Sequence, residues 1–512
     1  MLPKKINRVV TTEQGSFEGI PQGNPAYTVF KGVPFAKPPV GEWRFRWARP
    51  AEKFEGIRKC DTFPPTAVQD KGRDSGLYNK EFFPAEVEQS EDCLYLNIWT
   101  PSTEPDAKLP VMFWIHGGGF SAGYSYEMEM DGEAMNRRGV ILVTVTYRLG
   151  ALGFFAHPEL TKRCPINVSG NMAVSDCIEG LRWVKKNIAA FGGDPDNVTI
   201  FGQSAGGAMV QALLASPESE GLFHRAIVQS AGGINTLGGE TTLADLEKAG
   251  ETICEGLGKT IDEVIEMDAY EFNQKAQEIL AKQGMFMAMT PCVDGVILKK
   301  SPGAAIAAGE HHKVDIMTGS VSGDGGLFGG FPVKTKEEHE ALLRRTYGED
   351  ADRVIELYGV KSDEDVPAAN EVRAKAGSRL SPYGWAIAEE KNGRKPLHIY
   401  YFDRRMPGED NPGAFHSSEL WYVFGTIDRC WRSLESGFEM GDYALSRAMT
   451  DYWTNFAKTG DPNGEGLPKW DAFTEANPQT MYFNEKTVAE QDMTGDKVID
   501  GLAKMQVEKA LK

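Results

Sequence analysis

The chain has little cysteine, a deficit of positive charge and no long apolar run, and each shortage removes a class of function. Its seven cysteines (Cys60, Cys93, Cys164, Cys177, Cys254, Cys292 and Cys430) are odd in number and scattered through 512 residues. They form no C-x-x-C pair and no zinc spacing, so they read as reduced thiols, which favours a cytoplasmic location. Lys and Arg number 55 against 73 Asp and Glu, a net charge of −18. Such a surface repels polyphosphates and anionic lipid, so nucleic acid is not an expected partner. No segment approaches the roughly 18 apolar residues of a membrane span. The opening Met1-Leu2-Pro3-Lys4-Lys5 has charge but no apolar run behind it, so neither membrane insertion nor a secretory signal is expected. No H-E-x-x-H motif is present and the glycine-rich segments lack a P-loop lysine, so the chemistry is expected to need no metal and no cofactor.

What is present is the composition of a large buried core, 41% hydrophobic and 10% aromatic. Short strands separated by Gly and Pro turns are expected from Val9 to Ile20 and from Tyr27 to Phe35, a small N-terminal β region over about 8–35. From Leu94 on, continuous apolar runs follow at Leu94–Trp99, Val111–Ile115, Val140–Val145 and Val198–Phe201, the kind buried on both faces of a parallel or mixed sheet. Val174, Ile178, Leu181, Val184 and Ile188 recur at helical spacing before Phe191-Gly192-Gly193 stops the helix. Later strands are expected at Ala226–Gln229, Val314–Thr318 and Leu397–Phe402, helices at about 367–390 and 443–457, and a helical insertion at about 240–290. The fold class is therefore α/β, a large, mostly parallel twisted sheet flanked by helices, in one domain spanning 1–512.

Gly202-Gln203-Ser204-Ala205-Gly206 follows the strand at 198–201 and precedes the apolar run Met209–Leu214. A serine between small residues on a strand-to-helix turn is the nucleophile elbow of α/β-hydrolases, where the hydroxyl stands at the carboxyl end of the sheet. Gly119-Phe120-Ser121-Ala122-Gly123 fits the same pattern, but no amphipathic helix follows Tyr124 and the strand ends at Ile115. Ser204 is the candidate nucleophile. His116-Gly117-Gly118-Gly119 follows strand 111–115 and is the kind of loop whose main-chain N–H groups receive a developing oxyanion, with no Cβ in the way. The expected donors are Gly118, Gly119 and the amide of Ala205.

The order nucleophile, acid, histidine places both partners after Ser204. His116 and His157 precede it, and His224, His311 and His312 precede the best acid. His339 sits in Lys-Glu-Glu-His-Glu, read as a solvated helix face, and His398 lies inside a strand. His416 remains, in a loop after strand 397–402. Strand 314–318 runs into Gly319-Ser320-Val321-Ser322-Gly323-Asp324-Gly325-Gly326, where Asp324 is the only carboxylate. The expected triad is Ser204, Asp324 and His416.

Gly32-Val33-Pro34-Phe35-Ala36, Glu91-Asp92-Cys93-Leu94-Tyr95-Leu96-Asn97, Tyr147-Arg148-Leu149-Gly150, Phe191-Gly192-Gly193-Asp194-Pro195 and Thr459-Gly460-Asp461-Pro462-Asn463 resemble signatures of the type-B carboxylesterase family. That group includes bacterial para-nitrobenzyl esterases, liver carboxylesterases and cholinesterases, and the likeness covers nearly the whole chain. The resemblance implies a serine carboxylesterase acting on a small-molecule ester through an acyl-Ser204 intermediate. It also implies a buried pair, Ser230 and Glu419, behind the histidine, and a structural salt bridge between Glu91 and Arg148. Three positions depart from the pattern: the acid is Asp324 where relatives carry Glu, Ala67 stands where secreted members pair a cysteine with the one matching Cys93, and Phe83 stands near the place of the choline-binding tryptophan. Choline esters are therefore not expected. Phe83, Phe120, Leu327 and Phe328 are the expected pocket residues and favour a substrate with an apolar or aromatic portion. The same machinery cleaves thioesters, amides and lactones, and some relatives are non-catalytic adhesion modules, although here the whole triad is present.

Overall fold

The computed structural model describes residues 7–70, 76–83, 86–235, 240–285, 287–328, 331–435 and 437–511. Its strands are β1 (Val9–Thr11), β2 (Ser16–Glu18), β3 (Ile20–Pro21), β4 (Thr28–Pro34), β5 (Ile57–Lys59), β6 (Tyr95–Thr100), β7 (Leu109–Ile115), β8 (Ile141–Val145), β9 (Gly193–Gln203), β10 (Arg225–Gln229), β11 (Asp315–Val321), β12 (His398–Phe402), β13 (Gln479–Phe483) and β14 (Val488–Asp492). Eleven of them form one sheet in the order β14-β13-β12-β11-β10-β9-β7-β8-β6-β4-β3. The run from β8 through β13 is parallel, with antiparallel pairs at both edges. The N-terminal region divides: β1, β2 and β5 make a separate small sheet, whereas β3 and β4 extend the edge of the large one.

Alternation along the central strands explains why their sequences are apolar without a break. Val111, Phe113 and Ile115 enter the core on one face of the sheet, and Met112 and Trp114 enter the core on the other. Both faces are covered, so no position needs a polar residue. The first face takes the helices Met172–Asn187 and Ala205–Ala215. The second takes helix Met440–Thr459, through Leu445, Met449, Tyr452, Trp453 and Phe456. The expected insertion is three helices, Leu243–Leu257, Ile261–Glu266 and Ala269–Lys282, each begun by a Thr or Asp side chain that accepts a backbone N–H. They pack a separate cluster around Ile253, Val264 and Phe272.

Two expectations are corrected. His339 is 1% exposed: with Leu343 one turn on, it lies on the inner face of helix Lys336–Tyr347, its ring 5.0 Å from that of Tyr358. The charged neighbours in Lys-Glu-Glu-His-Glu occupy the rest of the helix surface. Glu91 and Arg148 do not pair. Arg148 grips Asp176 on helix Met172–Asn187 with two contacts of 2.6 and 2.9 Å, and Glu91 takes Arg44 with two of 2.6 Å. Arg44 also donates to the carbonyls of Ile265 and Met267, so this fork ties the insertion to the main body. All seven cysteines are free, and all but Cys164 are buried. Among the described residues no helix is long and apolar enough to cross a membrane.

Candidate active site

The sheet order itself prepares a site. From β7 the chain moves to β8 on one side and then returns to β9 on the other, so the connections after β7 and β9 leave their carboxyl ends in opposite directions and open a crevice there. Ile115 and Gly202 are register partners at that end. The segments beginning at His116 and Gln203 therefore emerge side by side.

Ser204 sits between β9 and helix Ala205–Ala215 with φ 54° and ψ −127°, a conformation that costs about 1–3 kcal/mol in a non-glycine residue. The surroundings enforce it. Its N–H donates to Gln229 O on β10 and its carbonyl accepts from Ala208 N, both at 2.9 Å. A Cβ on Gly206 would lie 2.1 Å from Ile115 O, so only glycine lets the turn press this closely on β7. The Ala205 N–H is one of the first four of an eleven-residue helix, which have no partner within the helix and lie at its positive end.

The glycine loop runs against the serine. A Cβ on Gly117 would be 3.3 Å from Ser204 Cβ. Gly118, at φ 103°, turns the chain so that its carbonyl accepts from Ser121 N at 3.1 Å and Ala122 N at 3.0 Å. Ser121, the serine of the second G-x-S-x-G match, thus belongs to the turn that closes this loop. Behind it, His116 stacks on Tyr147 at 4.4 Å and Tyr147 Oη donates to His116 O. Complete burial lowers the His116 imidazole to about 4, so it is neutral.

Asp324 opens the short helix after β11 and His416 lies in the loop after β12, and Gly323 N donates to Ala414 O to tie these segments together. His416 Nδ1 meets Asp324 Oδ1 at 2.5 Å, while Asp324 Oδ2 accepts from Val321 N at 3.0 Å. Burial alone would lower the His416 pKa, but the charge and hydrogen bond of Asp324, and then the charge of Glu419, outweigh it and raise it. Tyr78 Oη donates to His416 O at 2.8 Å. The ring's far nitrogen, Nε2, lies 3.2 Å from the Gln203 side-chain amide. Gln203 is a site residue that sequence reasoning missed, although it is the variable position immediately before the serine in the pentapeptide.

The family model described as carboxylesterase family matches residues 6–500. The chain belongs to the carboxylesterase family. Among curated relatives, the fumonisin B1 esterase of Sphingopyxis macrogoltabida is 36% identical over 93% of this chain and 86% of its own. The para-nitrobenzyl esterase of Bacillus subtilis is 33% identical over 96% and 98%. Among solved structures, a thermophilic PNB esterase superposes with a TM-score of 0.82 at 30% identity, covering 97% of this chain and 99% of that one. These are α/β-hydrolase folds, and this carboxylesterase is a carboxylic ester hydrolase of the type-B group.

Behind the histidine of this carboxylesterase, Ser230 and Glu419 are both buried, and among the described residues Ser230 Oγ and Glu419 Oε2 have no hydrogen-bond partner. Glu419 Oε1 instead accepts from Gln229 Nε2 at 3.3 Å, and Gln229 Oε1 accepts from Trp453 Nε1. Burial first and the charge of Asp324 second push the Glu419 carboxyl up to about 7. Of the expected pocket residues, Phe83 is half-buried with its ring 5.7 Å from Tyr124. Phe120 is fully buried, edge-on to Phe154 at 5.5 Å, so it braces the glycine loop instead of lining open space. Leu327 and Phe328 belong to the short helix Asp324–Phe328, and their side chains lie outside the described residues.

Proposed function

We propose that this carboxylesterase cleaves its esters by acyl transfer through Ser204, with His416 as general base and then general acid, Asp324 as the orienting carboxylate, and Gly118, Gly119 and Ala205 as oxyanion donors. The observation that carries this is the buried 2.5 Å contact between His416 Nδ1 and Asp324 Oδ1. With the Nδ1 proton held by a carboxylate, Nε2 keeps its lone pair. It takes the proton of Ser204 Oγ as that oxygen attacks the ester carbonyl, and returns it to the alcohol as the C–O bond breaks. Water repeats the sequence on the acyl-enzyme.

The substrate is an ester with an apolar or aromatic portion, received by Phe83 and its neighbour Tyr124 and by Leu327 and Phe328. The name of one relative, a para-nitrobenzyl esterase, supports an ester with an aromatic portion. Stoichiometric labelling of Ser204 by a fluorophosphonate, abolished together with turnover in Ser204→Ala, is the expected result. Labelling or hydrolysis that survives the substitution ends the proposal.

A further inference from the structure

Directly beyond the glycine loop, Tyr124 to Asp131 carries two glutamates two residues apart, Glu127 and Glu129, both buried. Their carboxyl groups are within hydrogen-bonding reach of each other. Taken as two carboxylates they make no sense: neither oxygen of Glu129 has a donor among the described residues, and two anions would face each other out of water. Among the described residues no cation compensates them. The titratable groups that face the pair are Tyr124 on the same segment, Tyr147 after β8 and the neutral His116. Thr426 donates to the Glu129 carbonyl, and Arg429 pairs with Asp131. Among the described residues no set of three ligating side chains surrounds a metal position here.

We infer that Glu127 and Glu129 share one proton, held on Glu129 and donated to Glu127, and that this acid–carboxylate pair is a positioning device for the oxyanion loop. The mechanical link is short. Glu127 Oε1 accepts from Tyr124 N at 2.9 Å, closing the segment that leaves the loop. A Cβ on Gly123 would lie 2.9 Å from that same oxygen, 2.7 Å from His116 Nδ1 and 2.9 Å from Gly117 O, so the carboxylate and the loop's first two residues crowd around one glycine. Gly123 N is held from the other side by Gln69 Oε1 at 2.9 Å. Burial raises Glu127 to about 7 and raises Glu129 well above the carboxylate range, the charge of Glu127 adding to the effect on Glu129. As pH rises through the pair's own range the proton leaves Glu129 for solvent. Two facing carboxylates then repel against the back of His116-Gly117-Gly118-Gly119, and the N–H groups lose their aim. The folded state keeps this proton where the unfolded chain has released its own, so stability is lost with rising pH over the same window.

This inference rests in part on the oxyanion reading above, and the experiment separates the two. The infrared spectrum of the intact enzyme in D₂O is recorded at mildly alkaline pH alongside pH profiles of kcat and KM for a para-nitrophenyl ester. The wild type should retain the carbonyl band of a protonated carboxylic acid, and Glu129→Gln, whose amide donates permanently, should lose that band and fold with near-wild-type kcat at neutral pH. Its alkaline fall in kcat should move up by about one pH unit or more, with KM unmoved. Glu127→Gln serves if Glu129→Gln does not fold, because its amide donates to Glu129 in turn and removes the shared proton equally. A spectrum indifferent to both substitutions overturns the shared proton. A lost band with an unmoved alkaline limb overturns its coupling to the loop. The band does not depend on Ser204, so an error in the acyl-transfer reading leaves this readout intact.

Discussion

Replacing Asp324 by Asn keeps the shape of the side chain and tests the triad more sharply than its deletion, because the surroundings dictate which way the amide must face. In the native enzyme one carboxylate oxygen takes His416 Nδ1–H and the other takes Val321 N–H. Asparagine has a single acceptor. If that oxygen stays on Val321 N, the NH₂ group faces His416 Nδ1, which must become the acceptor, and the proton moves to Nε2. The base then has no lone pair for Ser204. If the amide turns the other way, two N–H groups meet at Val321 in a buried site, at a cost of about 1–3 kcal/mol for the unsatisfied donor. The first orientation wins, and with it the unproductive tautomer. A fall in kcat of about 10⁴ is expected, or about 5.4 kcal/mol at 1.36 kcal/mol per decade. Whatever activity remains should also titrate lower, since the anion that lifts His416 is gone. Steady-state hydrolysis of a para-nitrophenyl ester across pH, with circular dichroism to establish folding, reads both effects. A folded Asp324→Asn enzyme within tenfold of the wild-type kcat would refute the tautomer argument and move the acid role to another carboxylate, Glu419 first.

The raised pKa of His416 places the acid limb of kcat/KM above the ordinary histidine value of about 6.5, because the protonated imidazole cannot act as base. Activity is lost as pH falls through that limb, and Gln203→Glu, which sets a carboxylate beside Nε2, should shift it further upward; a limb below the ordinary value contradicts both statements. Asp176→Ala leaves Arg148, 4% exposed, without its carboxylate partner and should cost about 3–5 kcal/mol in urea unfolding, whereas a loss under about 1 kcal/mol would show that water reaches the guanidinium.

The central strands and the turn at Ser204 were legible because each is decided locally. A run such as Val111–Ile115 must be covered on both faces, and a serine flanked by small residues between strand and helix marks a tight turn. The order of motifs along the chain pointed to Asp324 and His416, which the fold brings into contact; their roles belong to the proposal. Partner choice among buried polar groups was not legible. Arg148 had several carboxylates available, and only the packing of helix Met172–Asn187 beneath it selects Asp176 over Glu91. Glu419 likewise takes its hydrogen bond from Gln229 and not from Ser230. His339 shows the same limit on one helix, where its charged neighbours hid the inward stripe it shares with Leu343.

The winding of the sheet sets a timetable for the enzyme. The glycine loop and Ser204 follow β7 and β9, whereas Asp324 and His416 come after β11 and β12, more than a hundred residues further along. A nascent chain that has reached the insertion at Leu243–Lys282 carries the serine of the proposed triad but neither of its partners. On the proposed mechanism the nucleophile is armed only when β12 has docked beside β11. Closing contacts over such separations is slow, so on that mechanism hydrolytic competence comes late, and the onset of ester cleavage times the docking of β12.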